Sequence, residues 1–332
     1  MTDQATDHPL LDVRDLTAGF PASPDGRAAT VRAVDGVSFR LARGETLGLV
    51  GESGCGKSTL AQSLIRLLPP PGRTTAGRVE FEGRDLLSLG EADLRRVRGA
   101  RIGFVFQEPS MALNPVFTVG DQIAEALRVH APVSRAAARQ RAIDLLELVR
   151  IPDAPARARD YPHQFSGGMR QRVLIAAALA CQPPLLIADE PTTALDVTIQ
   201  AEIIELLRDM RARFGLALLL ITHDFGVVAS VADRVAVMYA GRIVEEGATP
   251  AVLGAPAHPY TRALLASLPG RMPGARLAAI PGAPPDPAVL PPGCAFGPRC
   301  PDHDADCDAR PPEMVAVAHA HAARCVRLAE RS

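Results

Sequence analysis

Lys57 is the only lysine among 36 lysines and arginines, and it stands inside Gly51-Glu52-Ser53-Gly54-Cys55-Gly56-Lys57-Ser58. That run fits GxxxxGK[ST], the pattern of a loop that cradles phosphates. A chain that uses arginine at every other cationic position keeps lysine here, and chemistry supplies a reason. A compact ammonium on a flexible stem reaches between two phosphates where a planar guanidinium does not fit. Glycines at 51, 54 and 56 let successive backbone N–H groups turn into one concavity at a helix start, where they and the helix dipole attract phosphate. Lys57 then neutralises β- and γ-phosphate oxygens, and Ser58 offers a hydroxyl to Mg²⁺.

Two more groups could work beside such a loop. Leu185-Leu186-Ile187-Ala188-Asp189-Glu190 is an apolar run ending in two acids. At the C-terminal end of a parallel strand, Asp189 can hold Mg²⁺ through a water, and Glu190 can orient and deprotonate an attacking water. His223, in Leu220-Ile221-Thr222-His223-Asp224, also follows an apolar run. Its imidazole can hydrogen-bond a γ-phosphate and hold the water in line. Taken alone, the acids would read as a solvated turn and the histidine as a structural residue.

The elements that must position these groups follow from pattern. Glu45 to Val50 reads as a strand feeding the loop, and Leu60 to Leu68 as the helix after it, stopped by Pro69-Pro70-Pro71-Gly72. Ala142, Leu145, Leu146 and Val149 fall at helical spacing within a helical region of about 108–180. Leu185–Ala188 and Leu216–Ile221 read as strands buried on both faces, with a crossover helix between them marked by Ile203, Leu206, Leu207 and Met210. Residues 269–292 hold eight prolines, which suits a linker or an irregular module.

Composition narrows the class further. With 332 residues and 47% hydrophobic content the chain can build a large α/β domain plus an appendage. A net charge of −1 gives no footprint for nucleic acid. Arg95, Arg96, Arg98 and Arg101 alternate with Leu94, Val97 and Ile102, and so read as the solvated face of a helix. No apolar run approaches 18 residues and the first ten residues show no secretory pattern, so a cytoplasmic protein is expected.

In this order the motifs resemble those of the ATP-binding subunits of ABC transporters. The resemblance rests on the phosphate loop, Phe165-Ser166-Gly167-Gly168-Met169-Arg170-Gln171, Asp189-Glu190, Ala194-Leu195-Asp196 and His223, and it covers residues 10 to about 250. It implies an α/β nucleotide-binding domain over 10–255, with a RecA-like core, an antiparallel β part and an inserted helical subdomain at about 108–180. Nucleotide contacts fall on Gly51, Ser53, Gly54, Cys55, Gly56, Lys57, Ser58 and Thr59, and Phe20 stacks on adenine. Gln107, in Phe104-Val105-Phe106-Gln107-Glu108, senses the γ-phosphate, joins Ser58 and Asp189 at Mg²⁺, and links to the membrane partner. Glu190, His223 and Gln107 are the catalytic set. Ser166, Gly167, Gly168, Met169 and Asp196 would cap the nucleotide bound by a second ATPase subunit. Met169 departs from the family's usual glutamine, which removes one polar contact.

Ala112 to Gly120, His258 to Leu265 and Pro291 to Cys300 narrow the resemblance to oligopeptide, dipeptide and nickel importers. The implied partners are two membrane permeases, a second ATPase subunit, identical or not, and an extracytoplasmic binding protein, with no nucleic acid. The implied site of work is the cytoplasmic face of the membrane. Peptide is the expected substrate, nickel the alternative, and a soluble ABC-type ATPase of repair or translation the competing class.

Cys294, Cys300, Cys307 and Cys325 lie in a C-terminal extension, residues 256–332, separated by five, six and seventeen residues. In a reducing compartment such thiols read as metal ligands rather than disulfides. Resemblance favours a [4Fe-4S] cluster, with zinc as the alternative, although no short C-x₂₋₄-C pair is present. His303, His319 and His321 could each substitute for a ligand, although they are expected at the surface. Cys55 and Cys181 read as small residues that fill space.

Overall fold

The computed structural model describes residues 8–21, 30–268 and 279–329. The strands are β1 Leu11–Pro21, β2 Thr30–Leu41, β3 Thr46–Val50, β4 Arg73–Phe81, β5 Arg84–Asp85, β6 Ile102–Val105, β7 Leu185–Asp189, β8 Ala217–Ile221, β9 Arg234–Tyr239, β10 Arg242–Ala248, β11 Val315–Ala318 and β12 His321–Ala323. The chain divides into two compact units, each built from segments distant in sequence.

One unit holds, among the described residues, 8–10, 41–45 and 88–221. Its β6, β7 and β8 are parallel neighbours, registered Val105 to Ala188 and Asp189 to Ile221. Every residue of β7 and β8 is buried, which is what continuous apolar runs in a sheet covered on both faces require. The helix Val197–Phe214 joins β7 to β8 and buries Ile203, Leu206, Leu207 and Met210, the stripe its spacing predicts. The expected helical region comprises mainly Val119–His130, Arg135–Leu148 and Gly167–Ala178. Thr118 caps the first by accepting from the Asp121 N–H, and Ser134 caps the second by accepting from the Ala137 N–H. Ala142, Leu145, Leu146 and Val149 are fully buried. Arg95 and Arg96 lie exposed on the helix Glu91–Val97, as their alternation predicts, whereas Arg98 follows its end and pairs with Glu91 at 2.8 Å.

The other unit holds, among the described residues, 11–21, 30–40, 46–87, 222–268 and 279–329. It contains an antiparallel sheet ordered β2-β1-β4-β5. Its second set of strands begins with β3, parallel to β9, which continues antiparallel through β10 and β12 to β11. The helix after β3 is Lys57–Leu64, starting and stopping earlier than Leu60–Leu68. It stops because Arg66 turns left-handed, at φ 52°, and the Leu67 N–H closes back on the Gln62 carbonyl at 2.8 Å. The prolines only forbid what has already ended.

The C-terminal segment joins the core of this same unit. Val237, Tyr239, Tyr260, Leu265 and Phe296 form one apolar cluster with Val50 of β3. Glu245 of β10 is fully buried, and its carboxylate accepts from the Ala257 and His258 N–H groups at 2.7 and 2.9 Å. The third contact of that carboxylate, 2.8 Å, is with His321 of β12. His321 is therefore buried, not a surface residue, because its ring satisfies an acid that water cannot reach. His258 is buried at the start of the helix Pro259–Ala266, and burial, aided by the charge of Arg262, lowers its pKa to about 3. The neutral ring is what lets Nδ1 accept from the Tyr260 N–H at 3.0 Å. Among the described residues no helix is long and apolar enough to cross a membrane.

Candidate functional site

The phosphate loop takes its shape from the strand that ends in it. β3 is buried throughout, and Gly51 follows so close to β9 that a Cβ there would lie 2.2 Å from the Met238 carbonyl oxygen. Gly56 has φ 107° and a Cβ would lie 2.0 Å from the Ala33 carbonyl oxygen, so only glycine fits on two counts. Gly56 is also the N-cap of Lys57–Leu64, with no side chain capping the helix and no acid in its first turn. A helix start that no side chain caps attracts an anion through its first-turn N–H groups and its dipole. Ser53 and Gly54 are exposed on the rim of the loop, and Ser58 and Thr59 are half-buried at the start of the helix.

Lys57 is only 4% exposed. Its Nζ donates to the carbonyls of Gly51 and Glu52 at 2.8 and 3.0 Å, which folds the side chain over the loop rather than into solvent. Cys55 is buried beneath it, as a small space-filling residue should be, and burial pushes its thiol up. Phe20, half-buried near the end of β1, lies against Gly72, where a Cβ would come within 2.6 Å of its ring. In the same unit the Thr222 N–H donates to the Leu49 carbonyl of β3 at 3.1 Å, and His223 follows, exposed.

The acid pair belongs to the other unit. Asp189, the last residue of β7, is buried, and Glu190 follows at φ 45° with its N–H bonded to the Ile221 carbonyl at 2.9 Å. That left-handed step aims the carboxylate away from the strand. Oε2 of Glu190 accepts from Thr193 Oγ1 at 2.7 Å and from Gln107 Nε2 at 3.3 Å. Gln107 and Glu190, 83 residues apart, are thus brought together. Thr193 escaped the sequence reading, although a hydroxyl three residues after an acid, in a turn, is a usable signal. Ser166 caps Gly167–Ala178 by accepting from the Met169 N–H, leaving Ser166 and Gly167 exposed at the helix start. Gly168 packs on Ile199, and Asp196 caps the helix that carries Ile199 by accepting from its N–H at 3.0 Å.

The C-terminal cysteines are free thiols that border one small cavity with His258, Phe296 and Gly297. Burial pushes Cys294 and Cys300 up and Cys307 to about 11, which keeps these thiols protonated. Among the described residues no group of three or more His, Cys, Asp or Glu side chains is arranged to hold a metal ion. The expected cluster therefore finds no support in this geometry: the sulfurs share a cavity without forming a ligand set. His303 bonds to Asp308 at 3.0 Å and does not complete one.

Residues 34–193 match the family described as ABC transporter, and residues 244–307 match the C-terminal region of oligopeptide/dipeptide transporters. A protein of Sinorhizobium fredii named as a probable peptide ABC transporter ATP-binding protein is 52% identical over 324 residues, 96% of this chain and 95% of its own. The dipeptide transport ATP-binding protein DppD of Bacillus subtilis is 50% identical over 318 residues, 95% of this chain and 94% of its own. A dimeric ATP-binding cassette solved with ADP and Pi superposes with a TM-score of 0.64 at 28% identity, covering 72% of this chain and 98% of that one. The chain thus belongs to the ATP-binding proteins of the ABC transporter family, in its oligopeptide/dipeptide branch.

Proposed function

We propose that this chain hydrolyses ATP with Mg²⁺ at the cytoplasmic face of a membrane, and that hydrolysis drives peptide import through two permease subunits. The observation that carries the reading is the phosphate loop, an uncapped helix start under a buried lysine whose ammonium already lies over two loop carbonyls. In this reading the loop N–H groups from Ser53 to Thr59 hold the phosphates, Lys57 neutralises them, and Ser58, Asp189 and Gln107 serve Mg²⁺. Glu190 takes the proton of the attacking water, His223 orients it, and Phe20 stacks on adenine. Ser166, Gly167, Gly168, Met169 and Asp196 face the nucleotide of a second ATPase subunit, and an extracytoplasmic binding protein delivers the peptide. The proposed division of labour is nucleotide binding in residues 10–255 and a transporter-specific extension in 256–332.

The permease contact is supported by exposed apolar side chains just after Gln107: Met111 is 83% exposed, Val116 70% and Phe117 52%. Such side chains clustered along a short stretch suit a protein surface that another protein covers. Uptake tests the substrate. Cells carrying only a Glu190→Gln copy should lose import of labelled di- and tripeptides and keep nickel uptake; loss of nickel uptake with peptide import intact would replace the peptide reading by the metal one.

A metal held by Cys294, Cys300, Cys307 and Cys325 is a separate proposal, which rests on the number and spacing of these cysteines in the sequence. Iron, zinc and acid-labile sulfide are measured on protein purified without oxygen. About four irons with matching sulfide, lost in Cys300→Ser, is the result expected of a [4Fe-4S] site. One zinc without sulfide would make the module a zinc site, and neither metal would leave the thiols as packing groups.

A further inference from the structure

Glu52 is the one acid in the phosphate loop, and all three of its polar handles are occupied. Its carboxylate receives both terminal nitrogens of Arg299, Nη1 at 2.7 Å on Oε2 and Nη2 at 3.0 Å on Oε1. The Glu52 N–H donates to the Tyr260 hydroxyl at 2.8 Å, and its carbonyl accepts from Lys57. The holders come from the C-terminal segment and are themselves fixed. The Arg299 side chain is 4% exposed, donates to the Pro281 carbonyl at 2.9 Å and the Tyr239 hydroxyl at 3.3 Å, and lies over the Tyr239 and Phe296 rings. Tyr260 is fully buried, its ring 4.5 Å from Tyr239 and 5.3 Å from Phe296.

We propose that Arg299 and Tyr260 are positioning residues for nucleotide binding, which hold Glu52 and through it the first turn of the phosphate loop in the shape that accepts phosphate. The inference rests on the loop's being the ATP site. Glycines at 51, 54 and 56 give this loop an unusually wide conformational choice, and ordering such a segment at the moment of binding weakens affinity. A bidentate, buried guanidinium at one end and the helix at the other remove that choice beforehand. Glu52 also supplies one of the two carbonyls that hold the Lys57 ammonium, so a displaced Glu52 moves the lysine as well. The arginine is specific in this role, because a lysine could make only one of the two parallel bonds.

A structural tie and a positioning tie part company in binding measurements. The full chain and its Arg299→Met, Tyr260→Phe and Glu52→Gln variants are titrated with ATP and Mg²⁺ by calorimetry, and turnover is followed by phosphate release. Arg299→Met and Glu52→Gln should raise the dissociation constant about tenfold or more, with the loss appearing in KM rather than in kcat. The double variant should bind no more weakly than the worse single one, since both remove the same contact. Tyr260→Phe leaves the Glu52 N–H unpaired and should weaken binding severalfold. Arg299→Met protein that keeps the wild-type near-ultraviolet spectrum and binds ATP within twofold of wild type would overturn the inference. Should that variant fail to fold, Glu52→Gln, whose side chain is a quarter exposed, answers the same question: unchanged affinity overturns the inference. Absence of ATP binding by the wild-type chain would overturn the nucleotide reading, and this inference with it.

Discussion

Glu190→Gln binds ATP as the wild-type chain does and turns it over about 10²–10⁴ times more slowly. Glutamine matches the size of glutamate, so the backbone step at φ 45°, pinned by the bond to the Ile221 carbonyl, has no reason to change. Thr193 Oγ1 can still donate to the amide oxygen at that position. What disappears is the negative charge that accepts a proton from water, and no other change in the unit replaces it. The check is direct: equilibrium binding of ATP, then single-turnover phosphate release under saturating enzyme. Wild-type hydrolysis would remove Glu190 from the role of base and shift attention to the remaining acid, Asp189. Weak binding with normal chemistry would mean that the carboxylate contacts the nucleotide instead.

Lys57→Arg is the second large effect, and it runs against the usual view of a conservative change. The ammonium occupies a pocket closed by two loop carbonyls at 2.8 and 3.0 Å, and the side chain is almost wholly buried. A guanidinium is wider, rigidly planar and unable to give up a proton, so it must either leave the pocket or push the loop open. ATP affinity should fall about 100-fold, equivalent to about 2.7 kcal/mol. The thermal transition should stay close to that of wild type, since the fold does not depend on the loop's grip on phosphate. Affinity within threefold of wild type would show that charge alone suffices here and that the shape argument is wrong.

The phosphate loop and the strands of the candidate site could be read from the sequence because each is local. β3, the glycine loop and its helix are consecutive, and the runs at 185–188 and 216–221 announce strands by being apolar without interruption. The stripes at 142–149 and 203–210 could be read for the same reason, since one face of one helix carries them. What the sequence hid are the long-range partners. His321 looks like a surface residue until Glu245, 76 residues earlier, is found buried against it. Arg299 stands out in Cys294 to Cys300 as the only charge, yet nothing near it names Glu52 as its partner. The cysteines are the converse case: their count and spacing suggest a ligand set, whereas the fold gathers the thiols around a cavity with no metal-holding group among the described residues.

The distance along the chain between Glu52 and Arg299, 247 residues, sets a clock for biogenesis. At a synthesis rate of roughly 5–20 residues per second, the glycine loop leaves the ribosome roughly 12–50 s before the arginine that holds it. Its strand waits too, because β3 finds its parallel neighbour β9 only after residue 234 has emerged. For most of translation this unit exists as separated pieces, with the apolar strand Thr46–Val50 exposed and the loop unshaped. Premature termination between His223 and Arg299 therefore releases a polypeptide that carries every nucleotide motif and lacks the clasp on its loop, a product for chaperones and proteases rather than a slower ATPase.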